Sequence, residues 1–113
     1  MSYTNQDDTG FLTTFSFISD KEVKITAKIS NGETLSGFSV YLYSKETLSN
    51  NSIKITIPDI YTNSSYYFTG IIAATGKEMV YTGSFNPLYI IINKGFSSES
   101  AIEINEGTVF YSN

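Results

Sequence analysis

Hydrophobic and polar residues alternate along much of this chain, in short segments separated by Gly, Asn, Ser and Pro. In KEVKITAKIS (21–30), apolar side chains take every second position from Val23 to Ile29, and lysine or threonine stands between them. A period of two is that of a half-buried β-strand, whereas the i, i+3, i+4 period of a helix is nearly absent. The pattern therefore predicts an all-β protein.

Turn residues divide these segments into eight or nine short strands. The predicted strands cover residues 11–18, 22–29, 38–43, 53–57, 66–74, 78–85, 88–93, 101–104 and 108–111. Asn31-Gly32 and Gly76-Lys77 are typical of tight turns, and residues 105–107 favour a terminal hairpin of the last two strands. Connections this short cannot hold crossover helices, so we expect antiparallel pairing in a β-sandwich of about eight strands.

The alternation also predicts which side chains face the interior. In GFSVYLYS (37–44), Val40 and Leu42 continue the apolar row, which places Tyr41 and Tyr43 on the opposite, exposed face. The first ten residues are polar and predict a flexible N-terminal arm, so that a single domain covers residues 11–113.

The run LYIIIN (88–93) has five apolar residues in succession, a pattern that suits a central strand covered on both faces. In a two-layer sandwich, the outer face of such a strand normally meets water. Either the N-terminal arm or a second subunit would have to cover it. We expect a subunit contact that includes Tyr89 and Ile91.

Residues 21–85 resemble an immunoglobulin-like module of the transthyretin-like, carboxypeptidase-regulatory-like or fibronectin type III kind. In those families a Gly-hydrophobic-x-Val-x-Leu strand is followed by a strand ending in a short loop, a Tyr-x-Phe strand and a closing hairpin. The matching positions here are Gly37, Val40, Leu42, residues 57–60, Tyr66 and Phe68. The resemblance implies a spacer, adhesion or assembly module of bacterial surfaces and phage particles, without catalytic residues.

Composition narrows the function. The net charge is −4 and all seven basic residues are scattered lysines, so neither a nucleic acid nor an anionic membrane is an expected partner. The start of the chain, MSYTNQDDTGFLTTF, lacks the basic and apolar regions of a secretory signal peptide. We therefore expect the chain to stay in the cytosol or to leave it within a larger assembly.

The reactive residues of most enzymes are missing. The sequence has no histidine and no cysteine. This excludes Ser-His and Cys-His catalytic arrangements, disulfides and thiolate metal sites. GIIAATGKE (70–78) fails the spacing of a phosphate-binding loop, the carboxylates occupy polar segments, and no segment has EF-hand spacing. We expect no catalytic residues, no cofactor and no metal.

Tyrosine is the most suggestive residue type, with nine copies. Exposed tyrosines are enriched at interfaces and stack on sugar rings; half-burial on a sheet face is the structural alternative at each position. The candidate partner-binding residues are Tyr41, Tyr43, Tyr61, Tyr67, Tyr89 and Ile91.

The sequence favours a non-enzymatic structural or assembly protein that acts through protein–protein contacts. We interpret it as a bacteriophage virion component (a head-decoration, fibre or tail accessory protein) that is assembled in the host cytoplasm as a homo-oligomer or with other virion proteins. The alternative is a carbohydrate-binding or adhesion module of a bacterial surface protein, with a glycan as its partner.

Overall fold

A computed structural model describes residues 1–6, 11–29, 37–60, 66–93 and 99–113. These ranges form strands and turns and contain no helix, and so no helix able to cross a membrane. The strands are β1 (Ser2–Gln6), β2 (Phe11–Phe17), β3 (Glu22–Ile29), β4 (Gly37–Leu42), β5 (Ser44–Thr47), β6 (Ile53–Pro58), β7 (Tyr67–Ile72), β8 (Glu78–Tyr81), β9 (Leu88–Asn93), β10 (Glu99–Ile104) and β11 (Val109–Ser112).

Nine of the strands form one nearly closed antiparallel sheet in the order β4-β3-β2-β1-β11-β8-β7-β6-β5. Its two end strands, β4 and β5, are separated along the chain by Tyr43 alone, which holds the ends of the sheet close together. β9 and β10 form a two-stranded ribbon that joins β4 through the single pair Phe38↔Asn93. The all-β, antiparallel prediction is confirmed. The eight-stranded sandwich is corrected to a barrel-like arrangement.

Residues 2–6 form β1, not the flexible arm that the sequence predicts for residues 1–10. β1 lies between β2 and β11, and Tyr3 pairs with Phe15 on one side and Ser112 on the other. The Tyr3 side chain is completely buried, and its hydroxyl donates a 2.9 Å hydrogen bond to the carbonyl oxygen of Gly76. One buried aromatic ring anchors this otherwise polar segment. Residues 7–10 of the predicted arm lie outside the described residues.

The interior is a single apolar cluster to which both the nine-stranded sheet and the ribbon contribute. Phe15 lies at its centre, with ring centroids 4.8 Å from Phe68 and 5.0 Å from Phe110. Burial of one such side chain stabilises the fold by about 1.5–3 kcal/mol. The cluster consists of Tyr3, Phe15, Val23, Ile25, Ala27, Ile55, Ile57, Ile60, Phe68, Ile72, Met79, Tyr81, Leu88, Ile90, Ile102, Ile104 and Phe110.

The orientation of β4 is the reverse of the one that the sequence predicts. Val40 and Leu42 point into solvent, whereas Ser39 is buried and Tyr41 packs against the core. Pairing with β3 sets this orientation, because Tyr41 lies opposite the buried Val23 and Ser39 lies opposite the buried Ile25. Directly opposite residues of an antiparallel pair share a face of the sheet.

The last 28 residues also differ from expectation. Leu88 and Ile90 are completely buried, but Tyr89 between them is 38% exposed, so β9 is not a central strand covered on both faces. β10 pairs with β9, whereas β11 pairs with β1 and β8, so no terminal hairpin forms. The turn at Gly76 is present, with φ of 74°, and the predicted turn at residues 31–32 lies outside the described residues.

Candidate functional site

Three large apolar side chains form a row on the outer surface of β4. Phe38 is 53% exposed, Val40 44% and Leu42 67%. We call these three residues the β4 face. Single exposed apolar residues are common on protein surfaces, but three consecutive outward positions on one strand make a continuous patch of the kind that often marks an interaction site.

Charged residues of β3 flank the β4 face. Glu22 lies directly opposite Leu42, and Lys24 lies directly opposite Val40. The Lys24 ammonium also stands 4.4 Å from the centroid of the Phe38 ring, in the geometry of a cation–π contact. An apolar row is thus bordered by one negative and one positive side chain at successive outward positions.

Two of the predicted partner-binding tyrosines point inward. The Tyr41 hydroxyl donates a 2.6 Å hydrogen bond to the carbonyl oxygen of Ile91. Tyr43 donates a 2.7 Å hydrogen bond to the carbonyl oxygen of Ser19, and its ring meets Phe17 edge-on with centroids 5.0 Å apart. Both side chains are half-buried and both hydroxyls bind main-chain oxygens, which is a structural use of tyrosine.

The remaining described candidates lie on two strands, with Tyr67 on β7 and Tyr89 and Ile91 on β9. Tyr67 is 40% exposed and leans edge-on against Phe85, and Tyr89 lies opposite Glu103 on the ribbon. Ile91 is half-buried, and its main-chain N–H donates to the carbonyl oxygen of Ile60 at 3.3 Å. Tyr61 lies outside the described residues.

Among the described residues, two core tyrosines have pKa values that are raised by burial. Burial raises the pKa of the Tyr3 hydroxyl. Burial also raises the pKa of Tyr81, and the negative charge of Glu106 adds to that rise. In the described part of the chain, no three carboxylates come together in a way that would hold a metal ion.

The β4 face was missed because the more hydrophobic of the two rows on this strand is the exposed one. Ser39, Tyr41 and Tyr43 alternate with Phe38, Val40 and Leu42, and hydrophobicity alone assigns the second row to the core. Pairing with the neighbouring strand decides which of the two rows is buried. β3 has one clearly apolar face, and the register of the β3–β4 pair decides which row of β4 joins it.

Comparison with protein-family models, with curated proteins and with solved structures finds no match to this chain.

Proposed function

We propose that this protein is a non-enzymatic structural subunit that assembles with further copies of itself through the β4 face. The exposed row of Phe38, Val40 and Leu42 carries this proposal. A virion component of a bacteriophage is the setting that the sequence favours, and the resemblance of residues 21–85 to immunoglobulin-like assembly modules supports the same class.

The size of the apolar patch suits the centre of an interface. Phe38 and Leu42 are more than half exposed and Val40 is 44% exposed, so a partner could bury further apolar surface on all three. A stable interface buries about 800 Å² on each partner, with an apolar centre and a polar rim. The outward residues of β3 that border the β4 face, among them Glu22, Lys24 and Thr26, would supply part of that rim.

The charges beside the β4 face are self-complementary. In a dimer with a two-fold axis, each surface patch meets its own copy in reversed direction. Consider an axis that lies in the interface and runs across the strands, between the Glu22–Leu42 pair and the Lys24–Val40 pair. It brings Glu22 of one copy to Lys24 of the other. The same axis brings Leu42 of one copy to Val40 of the other, because these residues are the cross-strand partners of Glu22 and Lys24.

Light scattering coupled to size-exclusion chromatography tests this proposal. The wild-type chain is expected to elute as a dimer or larger assembly, and a Val40→Thr/Leu42→Ser variant as a monomer. Ile18→Ser is the matched control, since Ile18 is an exposed apolar residue outside β4. A wild-type monomer at high concentration, or an assembly that persists in the double variant, would refute the β4 interface.

Glycan binding through tyrosine stacking is the weaker alternative. It relies on Tyr41, Tyr43, Tyr61 and Tyr67, and the first two have half-buried rings and hydroxyls bound to main-chain oxygens. A glycan array compared between wild type and Tyr67→Ala measures this alternative directly.

A further inference from the structure

Exposed aromatic rings lie where the start of β7 meets the segment that leads into β9. The rings of Tyr67 and Phe85 meet edge-on with centroids 5.2 Å apart, and the Tyr66 ring packs on Phe85 from a centroid distance of 5.0 Å. Tyr67 is more than a third exposed, and so is Tyr89, which follows Phe85 by four residues. The chain therefore presents aromatic surface to solvent both before β9 and on it.

Two exposed glutamates lie beside these rings. Glu103 is directly opposite Tyr89 in the β9–β10 ladder, and directly opposite residues share a face of the sheet. Three residues further on, the main-chain N–H of Glu106 donates to Asn86 Oδ1 at 3.3 Å, which brings Glu106 next to the residue that follows Phe85. We give the name aromatic–acidic strip to Tyr67, Phe85, Tyr89, Glu103 and Glu106.

A buried tyrosine holds the two sides of the strip together. The Tyr81 hydroxyl donates a 2.7 Å hydrogen bond to the main-chain oxygen of Phe85, and the Tyr81 main-chain oxygen accepts a 3.0 Å bond from the N–H of Gly107. Burial raises the pKa of Tyr81, and electrostatic repulsion by Glu106 and Tyr67 adds to that rise. Both groups therefore lie near the Tyr81 hydroxyl, and a rigid part of the core positions them.

The segments that form the strip carry negative charge alone. Residues 58–60, 66–69, 81–89 and 103–108 include Asp59, Glu103 and Glu106 but no lysine or arginine. Asp59 follows Pro58, which is the cross-strand partner of Tyr67. Aromatic faces and carboxylates both attract a cation. Since no group of acidic side chains in the described part of the chain suits a metal ion, an organic cation is the complementary occupant.

We propose that the aromatic–acidic strip binds a segment of another protein in which two arginines are separated by two prolines. A guanidinium stacks on an aromatic ring and also donates two parallel hydrogen bonds to a carboxylate, which an ammonium does not. This chain has no arginine, so a second copy does not supply the ligand. The strip is separate from the β4 face, and either proposal can fail without the other.

The spacing of the two glutamates sets the conformation of the bound segment. Glu103 and Glu106 are three residues apart, which limits their Cα separation to about 10 Å. A polyproline II helix has three residues per turn and rises about 3.1 Å per residue, so its side chains at i and i+3 share one face about 9 Å apart. One arginine can therefore meet each glutamate, as in other aromatic surfaces that bind proline-rich segments.

Fluorescence anisotropy of a labelled peptide of three Arg-Pro-Pro repeats, titrated with the full chain, tests the site. We expect saturable binding that weakens as sodium chloride is raised, because exposed charges are screened. Lys-Pro-Pro repeats of the same length should bind more weakly, since they keep the charge and lose the planar donor group. An Arg-Pro peptide with three arginines at alternate positions should also bind more weakly, because its spacing does not match the glutamates.

Variants of the chain locate the binding. Glu103→Gln, Glu106→Gln and Tyr67→Leu should each weaken it about threefold, and the double glutamine variant about tenfold. Glu78→Gln is the matched control, because Glu78 is an exposed glutamate directly opposite the exposed Tyr111 and lies outside the strip. It should leave the affinity unchanged.

Three outcomes overturn the proposal. The first is the absence of saturable binding of the Arg-Pro-Pro peptide. The second is an equal loss in Glu78→Gln and in the strip variants, which would show attraction to the net negative charge of the chain. The third is equal affinity for the lysine peptide or for the alternate-position arginine peptide. Self-association of the chain that is lost in the double glutamine variant would assign the strip to a second copy and overturn it as well.

Discussion

Tyr41 donates a 2.6 Å hydrogen bond to the main-chain oxygen of Ile91 and so connects β4 to the β9–β10 ribbon. The main-chain oxygen of Ile60 lies 3.4 Å from the same hydroxyl, and the Ile60 oxygen also accepts a bond from the N–H of Ile91. Pairing between β4 and β9 is otherwise limited to Phe38↔Asn93. In the described part of the chain, the Tyr41 side chain thus links the main sheet to the ribbon by a hydrogen bond.

The first prediction is that Tyr41→Phe weakens the docking of the ribbon. The change removes the hydroxyl and leaves the Ile91 oxygen without this donor, at a cost of about 1 kcal/mol. Thermal unfolding followed by circular dichroism should show a Tm lower by several degrees, and hydrogen exchange should quicken in β9 and β10 before the rest. Tyr111→Phe is the control, since Tyr111 is 60% exposed on β11. Equal stability of the two variants would show that the Tyr41 bond contributes nothing measurable.

The second prediction concerns alkaline pH. Burial holds the pKa of Tyr3 and of Tyr81 above the ordinary value of 10.0, so the folded state binds these protons more tightly than the unfolded state does. Their contribution to stability is complete below pH 10 and is lost as the pH rises through the raised pKa values.

Urea unfolding between about pH 8 and about pH 11 measures this loss as a fall in the free energy of unfolding. The comparison is made between variants, because they share every other titratable group. Tyr3→Phe and Tyr81→Phe should each flatten the fall, whereas Tyr111→Phe should leave its slope unchanged. Equal slopes in all three variants would show that the core tyrosines are not responsible.

Sequence patterning predicts the elements that have one strongly apolar face. β3 and β9 have the predicted bounds, and the inward positions of β6 are Ile55 and Ile57 as expected. Alternation suffices for β3 and β6 because only one row of their side chains is hydrophobic enough to be buried. In β9 both rows are apolar, so the sequence predicts its bounds but not the exposure of Tyr89. Alternation does not predict β1, in which Tyr3 is the one buried side chain of a polar segment. It does not predict β5 either, because all four of its side chains are exposed.

Neither the β4 face nor the inward polar pair Asn5 and Thr13 was predictable from local pattern. In β4 the row with Ser39 and Tyr41 is buried instead of the more hydrophobic row, because pairing with β3 decides the orientation, which is a tertiary effect. Asn5 and Thr13 are cross-strand partners at inward positions that pattern alone would assign to water. They become notable only because Tyr3 and Phe15, two residues away on the same face, are fully buried.

The third prediction is that Gly83→Ala is strongly destabilising. A Cβ atom at Gly83 would lie 2.5 Å from the Tyr81 ring and 2.6 Å from its hydroxyl oxygen. The Tyr81 ring is fully buried and stacks on Phe68, and its hydroxyl donates a 2.7 Å hydrogen bond to the main-chain oxygen of Phe85. The ring therefore cannot move aside without losing these contacts. Overpacking of this kind costs about 1–3 kcal/mol.

Urea unfolding of Gly83→Ala against Ser84→Ala measures this cost, since Ser84 is the exposed neighbour in the chain. The smaller side chain of a Tyr81→Leu background should reduce the penalty of the added methyl group. A Gly83→Ala protein as stable as Ser84→Ala would show that the Tyr81 ring has room to shift.

The fourth prediction uses charge reversal to test the two-fold arrangement at the β4 face. If Glu22 of one copy meets Lys24 of the other, Glu22→Lys and Lys24→Glu should each place like charges together and weaken assembly about tenfold. The double variant exchanges the two charges, restores opposite pairing across the axis and should recover assembly. Lys24 also contacts Phe38, so recovery is expected to be partial.

Sedimentation equilibrium measures the association constants of the wild type, the two single variants and the double variant. Reversal of the exposed Lys45–Asp20 ion pair is the control. Additive losses in the double variant would place the axis elsewhere, because only reciprocal contact between these two residues allows the exchange to compensate.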